Sequence, residues 1–431
     1  MLRVLYCVFF VLFWNNISLL AIADERELVI SFLKKSFEDC KIKDLESEKG
    51  FQFVLEIRVR QYLDHNNKKG GFFYQKFILH HRAKDNPNVM VTEGYKANGR
   101  VYEATKILNA NQVDIEYRFF DESRPEVIDW SLMTQEQGLE DFYFIQKKLK
   151  KLYNKKWCAT GISKGGTTCV LYKMKYPRML DAVVSYVGPF ANAQEDKRTI
   201  EHYTSKVGTA ACRKKIKDFQ IHILQNRAAL IPKLDSLAVE ENTSFPIGVN
   251  RVIDYAAAEY PFSFWQWGFS CDEVPSYNSS VEEIFAHVEE VVDFNFYDEK
   301  QCSELLPAYY QFMTEYGYYG FDTTGIGNLL SDKNLTNLTF CPKNTDLSFK
   351  HEFMQKMTKK AERKSKATIL IYGANDTWTA CALNLHPKAK ALKFVKANSG
   401  HRTRIKDLSQ DEKNQIYASL KNWMKTDVTR L

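Results

Sequence analysis

Residues 157–177 read WCATGISKGGTTCVLYKMKYP. An apolar run from Trp157 meets Gly161-Ile162-Ser163-Lys164-Gly165 and passes straight into a stretch of helical composition that Pro177 ends. The five residues fit G-x-S-x-G. In that pattern a strand turns sharply into a helix and holds the serine in a strained backbone conformation. Small neighbours are needed because the turn packs tightly. The motif alone is common, but here both required flanks are present. Ser163 is therefore expected to be a nucleophile rather than a simple turn residue.

The flanking chain supports a sheet with helices on both faces. Upstream, "FQFVLEIRVRQYLD" alternates, "GGFFYQKFILHHR" follows a Gly-Gly turn, and "NPNVMVTEGY" is apolar after a turn. Residues 100–110 read as a short helix and "VDIEYRFF" as a further strand. "SLMTQEQGLEDFYFIQKKLKKLY" is a long amphipathic helix with Thr134 as N-cap and Gln137 three positions on. After Pro177, "LDAVVSYVGPF" is again a strand. This alternation predicts a mostly parallel sheet. From about Ala193 the character changes to helical and aromatic, and it returns at "KATILIYGANDTW", "AKALKFVKANSGH" and a last helix "SQDEKNQIYASLKNWMK". The expected organisation is a sheet domain in two parts, 24–192 and 346–431, interrupted by a helical insertion over 193–345.

A serine nucleophile needs a base and an orienting acid. On this scaffold they follow in the order serine, acid, histidine, at strand ends. Asp376 stands just past the apolar strand "ILIYGAN" and is expected to orient an imidazole. Only His386 and His401 lie beyond it. His401 follows the strand "ALKFVKANSG" and precedes a helix, so loop placement favours it over His386. The oxyanion needs two backbone donors. One is expected from Lys164, whose side chain reads as a surface group. The other is expected from Gly94 or Tyr95 in "TEGYKANG", with Tyr95 preferred.

Composition excludes several classes. The 431 residues are 45% hydrophobic and 26% charged, as in a globular protein, and the formal charge of +7 is mild for this size. Basic clusters such as "KKLKKLYNKK" read as solvated helix faces, and no nucleic-acid signature accompanies them. No C-x-x-C pair and no H-E-x-x-H occurs, so neither a metal nor a cofactor is expected. Residues 1–23 have an early Arg3, an apolar core and an Ala21-Ile22-Ala23 end, the pattern of an export signal. Asn15 and Asn16 interrupt the apolar run, leaving it too short to span a membrane. The mature chain is expected outside the cytoplasm, secreted or periplasmic. Disulfides are then permitted among Cys40, Cys158, Cys169, Cys212, Cys271, Cys302, Cys341 and Cys381, with no pairing legible.

Six stretches carry a family likeness in chain order: "VTEGY", "IEYRFFDESRPEVIDWSLMTQEQGLEDF", "TGISKGGTT", "AAEYPFSFWQWG", "GANDTW" and "SGHRTRI". With these, the chain resembles the secreted bacterial prolyl tripeptidyl and tetrapeptidyl aminopeptidases. Those are serine peptidases of the α/β-hydrolase fold, distantly related to the prolyl carboxypeptidase and dipeptidyl peptidase II group. The resemblance implies Ser163, Asp376 and His401 as a triad, and cleavage after proline a few residues from a free N-terminus.

The aromatic insertion, lying between nucleophile and acid, is then expected to form a lid. Phe264, Trp265 and Trp267 are candidates to pack on a proline ring, and Glu259 to bind the substrate's α-ammonium. Two other readings use the same residues: a carboxylester hydrolase, and a non-catalytic binding protein on this scaffold.

Overall fold

Strand-forming runs bounded by turn residues assemble into one sheet. The structure is a computed structural model that describes residues 24–431, so the expected export signal lies outside the described residues. The nine strands are β1 Lys41–Leu45, β2 Phe53–Tyr62, β3 Phe72–His81, β4 Asn88–Thr92, β5 Asn111–Ile115, β6 Trp157–Ile162, β7 Ala182–Tyr186, β8 Lys366–Gly373 and β9 Lys390–Lys396. Their spatial order is β1-β2-β3-β5-β4-β6-β7-β8-β9. The β1–β2, β2–β3 and β3–β5 pairings are antiparallel, and every pairing from β5 to β9 is parallel. That order and sense are those of an α/β hydrolase.

Strands β4 to β7 are buried nearly throughout, as a parallel sheet covered on both faces requires. Alternate residues of one strand feed two cores. Val89 and Val91 of β4, with Ile369 and Ile371 of β8, pack beneath the helices Glu103–Leu108 and Gln410–Met424. Met90 and Leu370 face the other way, beneath Gln135–Leu149, Lys164–Lys175 and Glu352–Lys364. The helix Gln135–Leu149 starts where its cap was expected, with Thr134 accepting from the Gln137 N–H. Strand β1 carries no strand signal in the sequence. Its sequence, KIKDL, has no apolar alternation, and it pairs as an exposed, charged edge strand.

The chain reverses direction across the sheet at β4. Strand β5 lies on one side of it and β6 on the other, so the loops leaving β4 and β6 diverge and open a crevice. Gly94 and Tyr95 follow β4, and Ser163 follows β6. Between β7 and β8 the chain is mainly helical. The helices Ala210–Gln225, Arg227–Glu240, Val249–Trp267, Val281–Val292 and Glu299–Gln311 build a core of their own. A Cys212–Cys271 disulfide ties the first of these to the segment after the third, while Cys158 and Cys169 are buried free thiols.

Candidate active site

Ser163 has φ 55° and ψ −125°, a backbone region that disfavours any side chain. Its neighbours must be glycine: a Cβ on Gly161 would collide with the Gly165 carbonyl, and one on Gly165 with the Thr92 carbonyl. The turn is pinned by hydrogen bonds from Ser163 N to Tyr186 O (2.9 Å) and from Thr167 N to Ser163 O (3.0 Å). The serine is thus raised at the sheet's C-terminal edge, where it lines a cavity of about 600 Å³.

His401 lines the same cavity and is 6% exposed. Its Nδ1 lies 2.7 Å from Oδ2 of Asp376, which is fully buried. The other Asp376 oxygen accepts from Trp378 N at 3.1 Å. A carboxylate in this position keeps the imidazole proton on Nδ1 and leaves Nε2 free to act as a base. The helical segment also holds the histidine loop, since His401 N donates to Gln266 O at 2.7 Å and Trp267 meets the imidazole edge-on at 5.9 Å. No direct hydrogen bond joins Ser163 to His401 among the described residues, a looseness common before substrate binds. His386 is elsewhere: its N–H donates to Glu362 O, and it does not line the cavity.

Tyr95 and Lys164 line the cavity, and Gly94 lies directly behind them. The N–H groups of Gly94, Tyr95 and Lys164 have no acceptor among the described residues. The side chain of Lys164 departs from expectation. It is 1% exposed, donates from Nζ to Gly94 O at 2.7 Å, and lies 3.3 Å from the centroid of the Tyr117 ring. Burial holds its pKa well below the usual lysine value, partly offset by the nearby Glu315 carboxylate. The tight turn causes this. The first residue of the helix is aimed back at the end of β4, where glycine at 94 leaves room for the lysine stem; a Cβ there would lie 2.7 Å from Lys164 Cβ.

The helix Val249–Trp267 closes the cavity from the other side. Glu259, Phe262, Ser263 and Gln266 line it, at the i, i+3, i+4, i+7 spacing of one helix face, with Trp267 beside them. Glu259 is 9% exposed. Ser263 Oγ donates to its Oε1 at 2.8 Å and Tyr319 OH donates to Oε2. Burial pushes its carboxyl up to about 7 despite those two hydrogen bonds. No Lys, Arg or His forms a salt bridge with it among the described residues.

Phe264 and Trp265 do not line the cavity. They point into the insertion's own core, Phe264 against Tyr260 and Phe269, and Trp265 over Gly208. Helical phase is the reason: positions 264 and 265 face away from 259 and 263. The aromatic wall is supplied instead by Phe262, stacked on Tyr319 at 4.1 Å, and by Tyr309, Phe312, Tyr318 and Trp378. Phe262 was recoverable from the helical spacing starting at Glu259, whereas Tyr309, Phe312, Tyr318 and Trp378 lie in separate aromatic segments that only the folded chain brings to one wall. Arg100, Arg402 and Arg404 also line the cavity and were not singled out from the sequence. Among the described residues no group of three or more His, Cys, Asp or Glu could hold a metal ion.

The sequence profile of the family described as PS-10 peptidase S37 matches residues 36–430. A prolyl tri/tetrapeptidyl aminopeptidase of Streptomyces mobaraensis is 28% identical over 384 residues, covering 87% of this chain and 80% of that protein. Among solved structures, a proline iminopeptidase of Mycobacterium smegmatis is 10% identical with a TM-score of 0.40, covering 81% of this chain and 96% of its own. VinJ is 10% identical with a TM-score of 0.38, covering 85% of this chain and 98% of its own.

Proposed function

The chain belongs to the PS-10 peptidase S37 family and is a serine peptidase, and from that premise we propose that it is an exopeptidase releasing short N-terminal peptides by cleavage after proline. In this reading His401 takes the Ser163 proton as Oγ attacks the carbonyl carbon of the proline itself. The N–H groups of Lys164 and of Tyr95 or Gly94 stabilise the resulting oxyanion. Collapse of the intermediate breaks the C–N bond, and the leaving amine takes its proton from His401. Water, activated by the same histidine, then hydrolyses the acyl-enzyme. Asp376 keeps the imidazole in its working tautomer and stabilises the imidazolium.

The observation that carries the proposal is Glu259, a buried carboxylate without a cationic partner in the cavity that Ser163 and His401 line. An unpaired buried charge is costly, and the α-ammonium of a peptide would compensate it. A carboxylate at one end and a serine further along set the length of the peptide that fits between them. The stacked rings of Phe262 and Tyr319, and Trp267, would flank the proline. The name of the Streptomyces relative supports this substrate class.

Export is part of the proposal, with cleavage after Ala23 and a mature chain that is secreted or periplasmic. The Cys212–Cys271 disulfide suits an oxidising compartment. Among the described residues no helix is long and apolar enough to cross a membrane. N-terminal sequencing of extracellular material should begin at Asp24; an intact Met1 on membrane-bound protein would contradict export with cleavage.

The deciding experiment is a substrate panel: proline-containing peptides with free and N-acetylated termini, beside short-chain esters. Cleavage after proline is expected about ten- to a hundredfold faster in the free peptides than in the acetylated ones. Equal cleavage of free and acetylated peptides would make it an endopeptidase, and hydrolysis of esters alone a carboxylester hydrolase.

A further inference from the structure

The side chain of Lys164 has a place in the site that the mechanism above leaves unused. It is buried beside the nucleophile and directs its ammonium at one backbone atom, the carbonyl oxygen of Gly94, 2.7 Å away. That carbonyl and the Tyr95 N–H belong to the same planar trans peptide unit, in which C=O and N–H point in opposite directions. The ammonium that holds the carbonyl sits against Tyr117, a fully buried ring that does not line the cavity, so the carbonyl is drawn into the interior and the Tyr95 N–H is aimed the opposite way. Tyr95 itself lines the cavity, and its N–H has no acceptor among the described residues.

We propose that Lys164 is a positioning residue that locks the Gly94–Tyr95 peptide plane, so that the oxyanion hole is formed before substrate arrives. One residue then makes two contributions. Its backbone N–H is the first oxyanion donor, and its side chain sets the direction of the second. This rests on reading Ser163 as the nucleophile and Tyr95 N–H as a donor.

Three further features support a lock over a packing role. Gly94 has no Cβ, and the Lys164 stem occupies that space. The far side of Tyr95 is held as well, since Tyr117 N donates to Tyr95 O at 3.0 Å. The end of β4 is stitched to the same helix start by Thr92 Oγ1 donating to Gly165 O at 2.9 Å. With the neighbouring bonds made, the Gly94–Tyr95 plane is the element left to fix, and glycine on one side makes a flip easy without the lysine. The ammonium rests over the Tyr117 ring, and Glu315 is the acidic group nearest in influence, without a salt bridge to it. Charged or neutral, the amine donates to the Gly94 carbonyl, so the lock does not depend on its protonation.

Lys164→Met tests this in the full chain, because Met keeps the stem and removes the donor. Two rates are read: kcat on a tripeptidyl anilide ending in proline, and the second-order rate of labelling by a fluorophosphonate, whose phosphoryl oxygen enters the same hole. Loss of one oxyanion donor costs about 10²–10³ in kcat, so a mis-aimed donor should cost about ten- to a hundredfold in both rates. KM should stay within about threefold, because the ground-state carbonyl does not use the hole fully. A purely structural lysine would shift KM or stability without this split. Unchanged kcat and labelling in folded Lys164→Met would overturn the proposal, as would an effect confined to KM. If the Met variant does not fold, Lys164→Arg, which keeps a donor, and Lys164→Leu, which does not, give the same comparison; equal rates in both would overturn it. A wild type that labels but cleaves no proline peptide would sink the exopeptidase reading and leave the labelling comparison valid. A wild type that does not label would overturn both.

Discussion

Asp376 and His401, 25 residues apart in sequence, meet at 2.7 Å between Oδ2 and Nδ1 inside a buried corner at the ends of β8 and β9. The pair is held from two sides. Asp376 accepts the Trp378 N–H through its other oxygen, and the His401 N–H donates to Gln266 in the helical segment. The imidazole is therefore oriented jointly by the ends of the sheet and by the helix that closes the cavity.

Removing that orientation should be expensive. Asp376→Asn is expected to lower kcat by about 10²–10⁴-fold, since an amide favours the wrong imidazole tautomer. His401→Ala should be about as damaging as loss of the nucleophile, and His386→Ala should change kcat by less than about threefold. Steady-state rates for the three variants check this; the reverse ranking of the two histidines would move the base.

The strained backbone at Ser163 gives a prediction of opposite sign for stability and activity. Ser163→Ala should abolish fluorophosphonate labelling and lower kcat by about 10⁴-fold or more. Ser163→Gly should be equally inactive, yet more stable than Ser163→Ala by about 1 kcal/mol or more, because glycine tolerates φ 55°. Denaturant unfolding of the two inactive variants measures the difference. Equal stabilities would mean that no strain is stored there.

The ammonium-binding role proposed for Glu259 predicts a dependence on pH. Its carboxyl is raised to about 7 in the folded protein from a usual 4.5. Between those values the folded state holds more protons than the unfolded one, so this group's stability contribution is present below about 4.5 and declines as pH rises through 7. The stability gap between wild type and Glu259→Gln should therefore shift against the wild type over that window. In the proposed role it is the ionised form that holds the ammonium, so kcat/KM for a free peptide should rise through the same window. A charge-assisted bond to the ammonium implies a loss of about ten- to a hundredfold in kcat/KM for Glu259→Gln on free peptides. N-acetylated peptides should hardly respond. Equal losses on both peptides would make Glu259 structural.

The Cys212–Cys271 bridge closes a loop with a sequence separation of 59. On a chain-entropy basis, opening such a loop costs about 4 kcal/mol. Cys212→Ser, or mild reduction, should accordingly lower the unfolding midpoint, and the helical segment should lose hydrogen-exchange protection before the sheet does. An unchanged midpoint would mean that the packed core of the insertion alone holds it together.

The sheet was legible because its signals are local. Alternation in "FQFVLEIRVRQYLD", a Gly-Gly turn, the cap at Thr134 and Pro177 each act over a few residues, and backbone periodicity is decided at that range. The glycines around Ser163 likewise announce a close approach that any neighbouring backbone would demand. Ser163, Asp376 and His401 could each be picked out at a strand end. That Asp376 and His401 meet, and that the carbonyl of Gln266 steadies the histidine, required the folded chain. So did the burial of Lys164, because a lysine's usual place at the surface gives way only where a distant glycine leaves space for it. Phe264 and Trp265 illustrate the same limit. Sequence identifies an aromatic helix, but which of its faces meets the cavity is decided by the phase at which it docks, and that phase put Phe262 at the cavity and the other two in the core. Local spacing determines which residues share a face; only long-range packing determines what that face looks at.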